Sequence, residues 1–168
     1  MMTLNQYITR LRARAVLPPI SVVERSLWGR LGSKSRDADA DLPVAAVFGF
    51  SRSTTGPICE MLRSLDMNAY ACFPGPNTPD RLAAIPEWAS HVVVNIDAFG
   101  DTGEAVDCLM AFRQQRPTVR VVAVTRACTG DDFGSERQMI CDATLRAPVS
   151  CNRLAAAFRS DPEWSRIC

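Results

Sequence analysis

Five short apolar runs, each followed by a stretch with helical spacing, fill residues 43–160 and constrain the fold more than any other feature of the chain. The runs are Val44–Phe48, Ala69–Phe73, His91–Ile96, Val119–Thr125 and Ala143–Arg146. They are continuous rather than alternating, as strands are when both faces of their sheet are covered by helices. Between them, Ile58, Met61, Leu62 and Leu65 form a helical stripe after Gly56-Pro57. Thr78-Pro79-Asp80 opens a helix that reaches Ile85. Gly103 to Gln115 carries Val106, Leu109, Met110 and Arg113 in register. Asp131 to Ile140 is a weaker helical pattern interrupted at Gly134, and Ser150 to Arg159 closes the series. Five strands alternating with five helices predict an α/β body with a doubly wound, five-stranded parallel sheet.

The residues ahead of this body read differently. Leu4, Ile8, Leu11 and Ala15 recur at three- and four-residue spacings with Arg10 and Arg14 opposite, and Pro18-Pro19 ends the pattern. Ile20, Val23, Leu27 and Leu31 form a second stripe, with Trp28 beside it. Residues 33–41 are polar and without period, as in a linker. The expected organisation is an amphipathic basic extension at 1–36, a linker at 37–42, the βα body at 43–160 and a tail at 161–168. Residues 1–36 hold seven basic side chains against one acid, Glu24, a net of +6, whereas the rest carries −5. Such an extension docks on its own body, or contacts an acidic partner, an anionic membrane or nucleic acid. Its candidate contacts are Arg10, Arg12, Arg14 and Trp28. Nucleic acid is the less favoured of these, since Pro18-Pro19 stands where a helix-turn-helix has a tight turn.

The sequence has no run of 18 or more apolar residues, so no transmembrane segment is expected. The early arginines interrupt any signal-peptide core, and the seven cysteines are scattered without a CxxC pair. A cytoplasmic protein with reduced, mostly structural thiols is the expectation. The single histidine, His91, excludes a multi-histidine metal site, and neither a metal nor a cofactor is expected.

The punctuation of the strands carries a family resemblance. His91 to Gly103, with Asn95, Gly100 and Gly103 in step, resembles the third strand and following loop of bacterial response-regulator receiver domains of two-component signalling. There the phospho-accepting aspartate ends the strand. Val121 to Thr125 resembles the fourth strand, which ends in the switch Thr/Ser, and Ala143 to Pro148 resembles the fifth, with its Lys-Pro ending. The resemblance covers residues 43–160 and implies a receiver/flavodoxin-like sheet in the order 2-1-3-4-5. The chain departs from it at the chemistry. Asn95 stands at the phospho-acceptor position, and an amide has no carboxylate oxygen to attack a phosphoryl group. Val47-Phe48-Gly49-Phe50-Ser51 lacks the acidic pair that holds Mg²⁺. Ala147 replaces the lysine, and Phe99 replaces the proline four residues after the acceptor. Thr125 is the retained switch position. These departures imply an atypical, phosphorylation-independent receiver: a non-enzymatic regulator acting on a protein partner, with a homodimer as a further option.

Two further groups of residues are candidates. Ser51, Arg52, Ser53, Thr54 and Thr55 lie in the first strand-to-helix connection and could cradle an anion at a helix N-terminus, making a small-molecule sensor. The plainer reading is a cap, with Thr54 or Thr55 at N-cap and Pro57 near N1. Asp97, Asp101, Glu104 and Asp107 read as a solvated acidic loop opening a helix. Arg137, Arg146, Arg153 and Phe158 lie on the fourth helix, fifth strand and fifth helix, which meet partners in the resembled family. No nucleophile–base pair stands out among Cys128, Cys151 and His91.

Overall fold

The computed structural model of the protein describes residues 42–73 and 78–159, which belong to one compact unit beginning at Leu42. The expectations for residues 1–36, with Arg10, Arg12, Arg14 and Trp28, and for the tail at 161–168 lie outside the described residues. The body is a parallel sheet in the order β2-β1-β3-β4-β5, as the sequence implies. In chain order its elements are β1 (Val44–Phe48), α1 (Arg52–Arg63), β2 (Asn68–Cys72), α2 (Thr78–Ala83), β3 (His91–Asn95), α3 (Thr102–Gln115), β4 (Arg120–Thr125), β5 (Ala143–Arg146) and α4 (Cys151–Arg159). Short 3₁₀ turns occupy Ile96–Ala98 and Ser135–Arg137.

Strand periodicity divides the core in two. Ala45, Val47, Val93, Val122, Val124 and Leu145 face one way, against Ile58 and Leu62 of α1 and Leu154 and Ala157 of α4. Ala46, Phe48, Val92, Val94, Val121 and Ala123 face the other way, against Leu82 of α2 and Leu109 and Phe112 of α3. Both faces are dry, which explains why the strands read as unbroken apolar runs. Each large side chain fully buried here contributes about 1.5–3 kcal/mol. α3 starts at a reciprocal cap: Asp101 Oδ1 accepts the Glu104 N–H at 2.8 Å, and Glu104 Oε2 accepts the Gly100 N–H at 3.1 Å. The Arg116 guanidinium donates to the carbonyls of Ile85, Pro86, Glu87 and Ala89, satisfying a connection with no ladder partners.

Two expectations about helices are corrected. The segment Asp131 to Ile140 forms no α-helix; only the 3₁₀ turn at Ser135–Arg137 is helical. Tertiary bonds take the backbone instead. Asp132 exchanges backbone bonds with Thr144 in an isolated antiparallel bridge, at 2.8 and 2.7 Å. Its carboxylate closes a turn on the Gly134 N–H at 2.9 Å. Gly134 lowers the helix propensity of the segment further. α1, in turn, begins at Arg52 with Ser51 as N-cap, so neither Thr54 nor Thr55 caps it and Pro57 lies inside the helix.

His91 packs edge-on against Phe158 at 5.0 Å, with Nδ1 2.9 Å from Ser90 Oγ. Burial first, and the Arg120 charge second, push its pKa below the ordinary 6.5, against an opposing pull from Asp142. The folded state therefore favours neutral imidazole, and the unfolded chain takes up the proton more readily. The contribution is complete above pH 6.5 and is lost as pH falls from there toward the folded value. Thermal melts between pH 7.5 and 5 should show this loss, and His91→Phe should remove that part of the slope.

Candidate functional site

Register brings the candidate residues together. Phe48 pairs with Val94 and Asn95 with Val124, so the first residues beyond β1, β3 and β4 meet at the carboxyl edge of the sheet. Ligands of doubly wound folds bind at that edge. The Asn95 side chain is turned inward and used at both ends: Nδ2 donates to the Gly49 carbonyl at 3.0 Å, and Oδ1 accepts the Asp97 N–H at 3.2 Å. Gly49 has φ +82°, and an added Cβ would stand 3.0 Å from the Asn95 carbonyl oxygen and 3.1 Å from Ala98 Cβ. Gly49→Ala should therefore cost about 1–3 kcal/mol, read as a lower denaturation midpoint at unchanged slope.

Around Asn95 the side chains are packed and internally bonded. Phe50 is buried among the α1- and α4-facing residues. Phe99 is buried with its ring 6.2 Å from that of Phe48. Ala147 is half-buried, and its N–H donates to the Thr125 carbonyl at 2.9 Å. Thr125 is buried, and its hydroxyl donates to Asp97 Oδ1 at 2.5 Å. Asp97 Oδ2 accepts the Arg126 N–H at 3.1 Å. Asp101 and Glu104 are engaged in the α3 cap, and Asp107 is exposed on that helix. Among the described residues, no group of three or more His, Cys, Asp or Glu side chains is placed to hold a metal ion.

The Ser51 to Thr55 segment is the N-cap and first turn of α1 rather than an open loop. Ser51 Oγ lies 2.9 Å from Ser53 Oγ and 2.7 Å from Thr54 Oγ1, while the Thr55 hydroxyl donates to the Ser51 carbonyl at 2.8 Å. Arg52 sits over the Phe73 ring at 5.5 Å. Of the four residues suggested as a partner face, Arg153 bonds the backbone of Arg146. It is also bound to the Asp131 carboxylate and to the Pro148 carbonyl, and Phe158 packs on His91. The hydrogen bond from Arg153, ahead of other causes, holds the Asp131 carboxyl below its usual range. Arg137 and Arg146 remain exposed, Arg137 paired with Asp132 at 3.4 Å.

Burial raises the pKa of the Cys59 and Cys141 thiols. Burial pushes Cys72 up to about 12 and Cys108 up to about 11. An open groove of about 650 Å³ lies at the opposite, amino edge, lined by Trp88, Arg116 and Thr118 among others. The bond between Asp97 and Thr125 was not foreseeable, because the two residues are 28 positions apart and no local spacing signals their approach.

No protein-family model matches the sequence, and no curated protein matches it. Solved structures do. A response-regulator receiver domain protein from Clostridium thermocellum is 14 % identical, with a TM-score of 0.56, over 75 % of this chain and 98 % of that one. A CheY-like receiver domain protein from Methanospirillum hungatei gives the same figures. A response regulator from Thermotoga maritima is 14 % identical, with a TM-score of 0.54, over 70 % of this chain and 95 % of that one. The fold of the body is thus the receiver fold. No helix among the described residues is long and apolar enough to cross a membrane.

Proposed function

We propose that this chain is a signalling or regulatory protein whose receiver-like body takes no phosphoryl group by aspartate chemistry and acts by binding a protein partner. One observation carries the reading: the Asn95 amide, locked between the Gly49 carbonyl and the Asp97 N–H, stands where the resemblance puts the phospho-accepting carboxylate. An amide oxygen does not form an acyl phosphate. The neighbouring replacements agree with it. Phe50 supplies no oxygen to a hard cation, and Ala147 no ammonium to a phosphoryl group. The fold shared with response-regulator receivers supports a place in signalling. The Arg-rich residues 1–36 are suited to assist docking or self-association by charge.

Intact-mass measurement after treatment with a small phosphodonor and Mg²⁺ tests this. The wild-type chain should gain no phosphate. Asn95→Asp should also gain none, because the metal carboxylates and the lysine are still missing. A stoichiometric gain of one acid-labile phosphate on the wild-type chain overturns the reading.

A further inference from the structure

We propose that Asp97 is a built-in latch on the switch position: its carboxylate holds Thr125 and the start of the segment between β4 and β5 in one arrangement with no phosphorylation step. The inference rests on the reading above and adds how the state of the body is set. Asp97 Oδ1 accepts the Thr125 hydroxyl at 2.5 Å, and Oδ2 accepts the Arg126 N–H at 3.1 Å. The same Thr125 hydroxyl oxygen accepts the Ala127 N–H at 3.1 Å. Thr125 and Arg126 are thereby tied to one carboxylate, and Ala127 is tied to it through the Thr125 hydroxyl.

The carboxylate is itself held in place. The Asp97 N–H is fixed by Asn95 Oδ1, and Asn95 Nδ2 is fixed by the Gly49 carbonyl. The bonds run without a gap from the end of β1, through β3, to the end of β4. The position that the resemblance assigns as the switch thus has its hydroxyl bonded to a side chain two residues beyond Asn95. An acceptor carried by the chain needs no donor and is not hydrolysed, so the segment after β4 has one resting arrangement. Asp97 acts through Thr125 and is a positioning residue.

Amide hydrogen exchange on the full chain tests the latch in wild type, Asp97→Ala, Thr125→Val and Thr125→Ser. The first two variants should exchange about tenfold faster at Arg126 and Ala127, with the effect spreading to Asp132. Amides of β1 and β3 should stay within about twofold. Thr125→Ser keeps the hydroxyl and should match wild type. Acceleration confined to the Arg126 amide, or a Thr125→Ser variant as fast as Thr125→Val, overturns the latch. Should Asp97→Ala fail to fold, the nearly isosteric Thr125→Val decides. Intact mass of the same samples separates the two readings. Phosphate on wild type defeats the phosphorylation-independent reading, whereas unchanged exchange in unphosphorylated variants defeats only the latch.

Discussion

Arg113→Ala is expected to lower the stability of the body by about 3–5 kcal/mol, because it strands a buried carboxylate. Arg113 Nη2 lies 2.8 Å from Asp142 Oδ1, with side-chain exposures of 10 % and 4 %. The same guanidinium donates to the carbonyls of Gln138 and Val119, and Asp142 Oδ2 accepts the Val121 N–H at 2.7 Å. Removing Arg113 leaves the Asp142 charge with one backbone donor in a dry site. It also frees the Gln138 carbonyl, which helps fix the segment that stands in place of a helix. The exposed pair Arg137–Asp132 provides the contrast, since pairs of that kind contribute about 0–1 kcal/mol. Urea unfolding of Arg113→Ala and Arg137→Ala should therefore give a large and a small shift of midpoint. A loss under about 1 kcal/mol for Arg113→Ala would mean that water reaches Asp142.

The sheet was legible because its strands are dry on both faces. Val92 to Val94 and Val121 to Val124 need no partner information to be read as buried strands. The order of the strands, 2-1-3-4-5, was implied by the receiver resemblance of these segments. Local reading failed where bonds across the fold outbid helix propensity. Asp131 and Asp132 resemble a helix opening, yet Asp131 is taken by Arg153 and the Arg146 N–H, and Asp132 by Thr144 and Gly134. Pro57 misled in the other direction, because Ser51 starts α1 well ahead of it. Arg113 sat in register with an apolar helical stripe, and nothing local pointed to Asp142, 29 residues on. At the candidate site the residue types were visible in the sequence. Their bonds were not, since those of Asn95 to Gly49 and of Thr125 to Asp97 join residues 46 and 28 positions apart.

Phe50→Asp tests whether the end of β1 still tolerates a metal carboxylate, and a loss of more than about 3 kcal/mol is expected. Phe50 is 5 % exposed and packs in the cluster with Ile58, Leu62 and Leu154, so its removal alone forfeits burial of a large ring. The new carboxyl would stand in apolar surroundings and avoid ionisation by raising its pKa. Its pKa in the folded state would exceed the unfolded value of about 3.9, so the unfolded chain would release the proton first as pH rises. Stability should therefore fall between pH 4 and the folded pKa, a slope that Phe50→Ala does not share. Millimolar Mg²⁺ should restore nothing, because the nearby Asp97 is already bound to Thr125 and Arg126 and Asn95 offers only an amide. Thermal melts of Phe50→Asp and Phe50→Ala across pH 4–8, with and without Mg²⁺, separate the terms. A Mg²⁺-dependent rise in the melting temperature of Phe50→Asp alone would show that a cation site survives at this edge. If it does not appear, the apolar side chain at the end of β1 is part of the packing that holds the body together, and a cation site at this edge would require repacking the core around α1 as well as new carboxylates.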